Sequence, residues 1–212
     1  MDVVDYSPLV PTDVAEVARI HQRGFAGFFL STLGLPFLRQ FYAGHIGDPT
    51  AVSVVARIGD GRPVGVVVGT TQPAGFYGRL LRRRGVAFAA AGAWGALHNP
   101  RAVPRLVRAL TYRGDAPEPS YALLSSIVVD PVVAGQGVGW HLQDEWCRLA
   151  AEAGATHAYL QTDHDDNEAT LAFYRRCGWT EAGLSTTPEG RRLTRLERDL
   201  TPRTTGETRS TR

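Results

Sequence analysis

The stretch Leu124–Trp140 constrains the fold more than any other part of this 212-residue chain. An apolar, β-branched run, Ile127-Val128-Val129, ends at Asp130-Pro131; Gly135, Gly137 and Gly139 then stand at alternate positions, and an amphipathic pattern begins at once. In that pattern Leu142, Trp146, Leu149 and Ala153 recur at helical spacing, whereas Asp144, Glu145, Arg148 and Glu152 lie off the stripe. A strand, a glycine turn and a helix N-terminus in succession form an anion site. The glycines let the backbone approach a ligand, free N–H groups point outward, and the helix dipole favours negative charge. A phosphate or pyrophosphate is the expected ligand. A P-loop would need Lys and Ser/Thr after its second glycine, but all 23 basic residues counted here are arginine. A dinucleotide fold would carry G-x-G-x-x-G in its first βαβ unit; here the spacing is G-x-G-x-G and it comes late in the chain.

A second pattern follows. Thr156–Thr162 reads as a strand and Asp163–Asp166 as a loop, and Asn167 stands where a helix N-cap belongs. The helix Glu168–Cys177 closes on Gly178, and Trp179 opens another strand. Asn167, Leu171 and Tyr174 share one helical face. The motif Val129-x-Pro131 with its glycine loop, followed by Asn167-x-x-Thr170-x-x-x-Tyr174-x-x-x-Gly178-Trp179, resembles the GNAT superfamily of acetyl-CoA-dependent N-acetyltransferases.

The resemblance implies a single mixed α/β (α+β) domain over residues 1–200, with a mostly antiparallel, twisted sheet flanked by helices. Its two central parallel strands would splay at Val129 and Gln161. It implies that acetyl-CoA is the co-substrate and that the acetyl group passes directly to an amine without an acyl-enzyme. Ile127, Val128 and Val129 would bind the pantetheine arm through backbone groups. Gly135, Gln136, Gly137, Val138, Gly139 and Trp140 would hold the pyrophosphate, and Asn167 would meet the cofactor. Tyr174 would give a proton to the departing thiolate. Two positions depart from the superfamily pattern. Ala134 stands where Gln or Arg is usual, and the strand Tyr121–Val129 contains no carboxylate. The general base is therefore open between Asp163, His164, Glu118, Tyr121 and a water relay. A CoA-binding module without turnover, an interaction protein and acetylation of a peptide amine are the alternatives.

The remaining readings bound the chain. Its length and 43% hydrophobic content suffice for one sizeable core, and a net charge of +2 gives no reason to expect nucleic acid. Cys147 and Cys177 fall on helical patterns without metal or redox spacing and read as buried small hydrophobes. Four adjacent loop residues, Asp163 to Asp166, converge poorly on one ion, so no metal site is expected. With no basic-apolar leader and no membrane-length apolar run, the expected compartment is the cytoplasm.

Along the chain, Asp2–Tyr6 reads as a strand, and Thr12 caps a helix ending near Gly24 that carries Val14, Val17, Ala18 and Ile20. Ser31 opens a second helical region. Ala51–Ile58 and Val64–Thr71 form a hairpin around Gly59-Asp60-Gly61-Arg62. Thr180–Thr186 pairs with Arg191–Leu200, and 201–212 reads as a disordered tail. Residues 73–118 form a basic helical insertion of two or three helices, broken at Asn99-Pro100 and Pro104. Within it, Gly75–Gly114 holds eight arginines and no acid. It serves as a solvated face or homodimer contact, as an acceptor pocket for an anionic small-molecule amine, or as a membrane-surface helix.

Overall fold

The computed structural model describes residues 3–26, 29–98, 120–188 and 190–201. In chain order the elements are β1 (Val4–Ser7), α1 (Val14–Gly24), α2 (Phe29–Thr32), α3 (Gly34–His45), β2 (Ala51–Ile58), β3 (Arg62–Thr70) and α4 (Phe76–His98). Then follow β4 (Tyr121–Val129), α5 (Val138–Glu152), β5 (His157–Asp163), α6 (Glu168–Arg176), β6 (Thr180–Thr186) and β7 (Arg192–Asp199). The seven strands make one sheet in the order β1-β2-β3-β4-β5-β7-β6. Every neighbouring pair is antiparallel except β4–β5. This is the mixed, mostly antiparallel architecture that the sequence implied.

β3 lies covered on both faces, which is why Val64, Val66, Val67 and Val68 are all buried and no polar alternation breaks the run. Val66 and Val68 meet α1 and α3 through Val17, Ile20, Leu38 and Tyr42. On the other face Val64 and Val67 share a core with Leu142, Trp146, Leu171 and Tyr174 of α5 and α6. Two glycines set the distance of α5 from the sheet. A Cβ at Gly69 would lie 2.2 Å from the Leu123 carbonyl oxygen and 2.5 Å from the Trp146 ring; at Gly65 it would lie 2.9 Å from Leu142. Trp146 Nε1 then donates to the Val52 carbonyl at 3.1 Å, satisfying its one polar atom inside the core.

Gln143 is fully buried beside this stripe although its side chain is polar. Its Oε1 accepts from Trp179 Nε1 and from Arg198, each at 2.9 Å, so α5 is tied to β6 and β7. Ala153, expected on the apolar stripe, is exposed at the helix end, while Cys147 and Ala150 take its place in the core. Both cysteines are buried as anticipated, and burial pushes the Cys147 thiol up to about 12. A one-turn 3-10 segment, Pro11–Asp13, precedes α1, so Asp13 rather than Thr12 borders the helix. Its carboxylate accepts from the Val10 N–H and pairs with Arg57 at 2.6 Å.

α4 is the described part of the insertion. It kinks at Arg84 (φ −129°, ψ 20°), and Leu80 nests against Gly44 of α3, where an added Cβ would come within 2.5 Å. Phe76, Leu80, Phe88 and Ala91 form a local core with Leu33 and Phe37. The buried carboxylate of Asp48 faces Arg79 at 3.4 Å and Arg83 at 3.3 Å; Arg84 donates to Gln40 at 3.0 Å. These three arginines fasten the helix to the domain. The breaks anticipated at Asn99-Pro100 and Pro104, the insertion's arginines Arg101, Arg105, Arg108 and Arg113, Glu118 and the tail beyond Thr201 lie outside the described residues. No described helix is long and apolar enough to cross a membrane.

The close approach at Gly69 yields a stability prediction. Gly69→Ala should lower the unfolding free energy by about 3 kcal/mol, because backbone and indole cannot both move aside. Gly78→Ala in α4 meets open space and should raise stability by up to about 1 kcal/mol. Urea titration reads both; a Gly69→Ala midpoint equal to the parent's would remove the close packing of α5 on β3.

Candidate active site

β4 and β5 are paired only at Tyr121–His157, Ala122–Ala158 and Leu123–Tyr159. Beyond Leu123 they part, earlier than the Val129 and Gln161 positions expected from sequence. The cause lies in β4 itself. On its other edge Val68 pairs with Ser126 and Gly69 with Leu124, which leaves Ser125 as an extra, bulged residue. The bulge shifts the pleat by one. Ala122 and Leu124 face the α5 side before it, whereas Val128 faces the α1–α3 side after it. Both bulge hydroxyls consequently meet tyrosines from the same layer of helices. Ser125 Oγ accepts from Tyr77 at 3.3 Å, and Ser126 bonds the hydroxyl of Tyr42.

The separated strands enclose a cavity of about 740 Å³. Ile127, Val128, Val129, Gly135, Gly137, Val138, Gly139 and Trp140 line it together with Tyr174. Gln136 and Asn167 are not on its wall. The side-chain amide of Asn167 donates to Thr162 Oγ1 at 2.9 Å and to the Asp163 carbonyl at 2.8 Å. It thus ties the start of α6 to the end of β5 and makes no capping bond to its own helix.

At the glycine loop, Gly135 and Gly137 hold left-handed backbone (φ 80° and 81°), and a Cβ on either would meet nothing within 4 Å. Gly137 is the N-cap of α5. No side chain caps that helix and no acid stands in its first turn, so its leading N–H groups remain available to an anion. Asp130 anchors the loop from below, accepting from the Val132 N–H at 3.1 Å and pairing with Arg23 at 2.6 Å. Burial alone would raise its pKa, but these two partners hold the carboxyl below its ordinary value. The residues present fit a pyrophosphate-bearing co-substrate: open N–H groups at the loop and unpaired strand edge along β4.

Tyr174 sits on the buried face of α6, its ring edge-on to Trp179 at 5.8 Å. Burial, with Cys177 alongside, raises its pKa above the usual phenol value, so it is protonated at neutral pH. Among the residues considered as base, Asp163 lines the cavity but is ion-paired to Arg191. His164 Nδ1 lies 2.9 Å from Thr194 Oγ1 and off the wall. Tyr121 stacks on His157 at 4.8 Å, at the paired end of the strands.

His21, Phe25, Leu30, Phe173, Arg176 and Leu193 also line the wall, and the sequence pattern did not assign them to a site. His21 carried a usable signal, since Val14, Val17, Ala18 and His21 fall on one helical stripe and a histidine is out of place there. It is buried, its Nδ1 is 2.7 Å from the Tyr42 hydroxyl, and burial lowers its pKa to about 4. No cluster of three metal-ligating side chains occurs among the described residues.

The acetyltransferase (GNAT) family profile matches residues 16–179. The chain therefore belongs to the GNAT family of acetyltransferases. It is an acetyl-CoA-dependent N-acetyltransferase with acetyl-CoA as co-substrate. No curated protein matches it in sequence. The fold is shared with a GNAT-family protein from Desulfovibrio desulfuricans (15% identity, TM-score 0.63, covering 94% of this chain and 100% of that one). It is also shared with the ribosomal-protein-S18-alanine N-acetyltransferase of Escherichia coli (16%, 0.59, 97% and 98%). A chimeric spermidine N-acetyltransferase drawn in part from Vibrio cholerae is a further match (12%, 0.60, 93% and 95%).

Acetyl-CoA should accordingly raise the melting temperature, by an amount set by its concentration relative to Kd. Gly137→Glu places a carboxylate at the anion site and a side chain on left-handed backbone, and should abolish the shift. Stabilisation by NAD or ATP in place of acetyl-CoA would reassign the loop.

Proposed function

We propose that the enzyme acetylates the amine of a small molecule, with Tyr174 as the acid that protonates CoA sulfur. The observation carrying this reading is the shared cavity. Tyr174, the Ile127–Val129 edge, the glycine loop, His21, Phe25 and Leu30 all line it. In this reading N–H groups of Ile127–Val129 polarise the thioester carbonyl and stabilise the oxyanion that forms on amine attack. The adduct then collapses: the C–S bond breaks, its electron pair goes to sulfur, and sulfur takes the Tyr174 proton. The cofactor role of Ile127, Val128, Val129, Gly135, Gly137, Val138, Gly139 and Trp140 is part of the same proposal.

An anionic acceptor was the expectation from the basic insertion. Arg79 and Arg83 share the single carboxylate of Asp48, and Arg84 bonds the neutral amide of Gln40. On the wall itself Arg191 is paired with Asp163, whereas Arg176 lines it without an ion pair among the described residues. Arg79, Arg83 and Arg84 are thus engaged in holding α4, and the proposal here requires only an amine.

Tyr174→Phe tests the assignment. The substitution removes one hydroxyl, so acetyl-CoA should still stabilise the protein while kcat falls roughly 10- to 1000-fold over an amine panel read by thiol release. Because Tyr174 must stay protonated and its pKa is raised from 10.0, activity should not decline through this group below pH 10. An unchanged kcat in Tyr174→Phe would assign the side chain to the core alone.

A further inference from the structure

We propose that His21 takes the proton that the acceptor amine loses as its nitrogen bonds to the acetyl carbon. This rests on the reading that a small amine enters the cavity that His21, Phe25 and Leu30 help to line. Four observations carry it. His21 is on the cavity wall although it is buried, so its exposed edge faces the cavity. Its ring is fixed on several sides: Phe25 at 4.9 Å, Tyr42 at 5.7 Å and Phe41 at 6.5 Å, all edge-on. Its Nδ1 is held by the hydroxyl of fully buried Tyr42 at 2.7 Å, and that hydroxyl is itself engaged by Ser126 of the bulge. Nε2, by contrast, has no partner among the described residues. A histidine locked through one nitrogen with the other open to a substrate cavity is the arrangement a proton acceptor needs.

The carboxylates do not compete for this role. Among the described residues Asp163 is the only acid on the wall, and Arg191 occupies it. Burial keeps His21 neutral at pH 7, and the proposal requires the tautomer in which the Nδ1–H donates to the Tyr42 oxygen and the lone pair lies on Nε2. Such a weak base could not deprotonate a free ammonium. It needs only the proton of the adduct, whose nitrogen is bonded to a carbon carrying oxygen and sulfur and is much more acidic. The balance closes as follows. The amine lone pair forms the C–N bond, the carbonyl π pair moves to oxygen, and the N–H proton passes to Nε2. The oxygen pair then re-forms the carbonyl as the C–S bond breaks, and Tyr174 protonates the sulfur. His21 releases its proton to water and Tyr174 regains one, so amine and acetyl-CoA become amide and CoA thiol.

His21→Asn is the decisive variant, because the asparagine amide can stand in for Nδ1 at Tyr42 while Nε2 is deleted. We expect kcat to fall roughly 100-fold, with the acetyl-CoA-induced melting shift retained. Added imidazole should restore part of the lost rate in the smaller His21→Ala. Tyr42→Phe, which frees the ring without removing it, should give a smaller loss in kcat than His21→Asn. A His21→Asn kcat within about threefold of the parent would overturn the proposal. So would a loss that imidazole does not relieve and that comes with a lost acetyl-CoA shift, since His21 would then be structural. A parent enzyme that releases no thiol with any amine of the panel would instead remove the small-molecule reading, and this proposal with it.

Discussion

Beyond Leu123 and Tyr159, β4 and β5 no longer hydrogen-bond to one another, and the site follows from that separation. A parallel pair inside a sheet ordinarily satisfies every backbone group of both strands. Here the extra residue at Ser125 turns β4 out of register, and its edge from Leu124 to Val129 is left without β5. Those groups need partners, and the amide-bearing arm of acetyl-CoA offers donors and acceptors along its length. The same bulge turns Ser125 and Ser126 toward Tyr77 and Tyr42. One inserted residue therefore opens the edge proposed for the cofactor and turns the two serines to the helices on the other side.

The helices hold this opening by packing and by buried charge. Trp146 and Leu142 pass over Gly69 and Gly65, which brings the N-terminus of α5 against the end of β4. Asp130, linked to Arg23, fixes the loop that joins them, and Arg23 in turn belongs to the helix that carries His21. The glycine loop and the wall residue His21 are thus tied through a single ion pair. Asp48 does the corresponding work for α4. A buried carboxylate facing Arg79 and Arg83 would be costly to leave unpaired, and that cost holds the insertion against α3.

Much of this was legible in the sequence because it repeats at the period of a helix or strand. The glycine loop, α5, α6 with Tyr174 and the β2–β3 hairpin all follow from spacing and turn residues. The bulge did not, since Leu124–Val129 reads as one continuous strand and nothing local marks Ser125 as extra. Gln143 and His21 were missed because a polar residue on an apolar stripe reads as surface until its partner is known. Those partners, Trp179 and Tyr42, are distant in sequence. The arginines of α4 looked free for the same reason: Asp48 lies well before them. Asn167 was placed correctly at its helix start, yet its amide serves Thr162 and Asp163 rather than the cavity wall.

Backbone hydrogen exchange with and without acetyl-CoA tests most directly whether the β4 edge and the glycine loop form the cofactor site. On addition of acetyl-CoA, amides of Ile127–Val129 and Val138–Trp140 should exchange more slowly, while those of Tyr121–Leu123, already paired with β5, should not change. Unchanged exchange at Ile127–Val129, with protection confined to elements away from the divergence, would contradict the assignment of the separated strands as the binding edge.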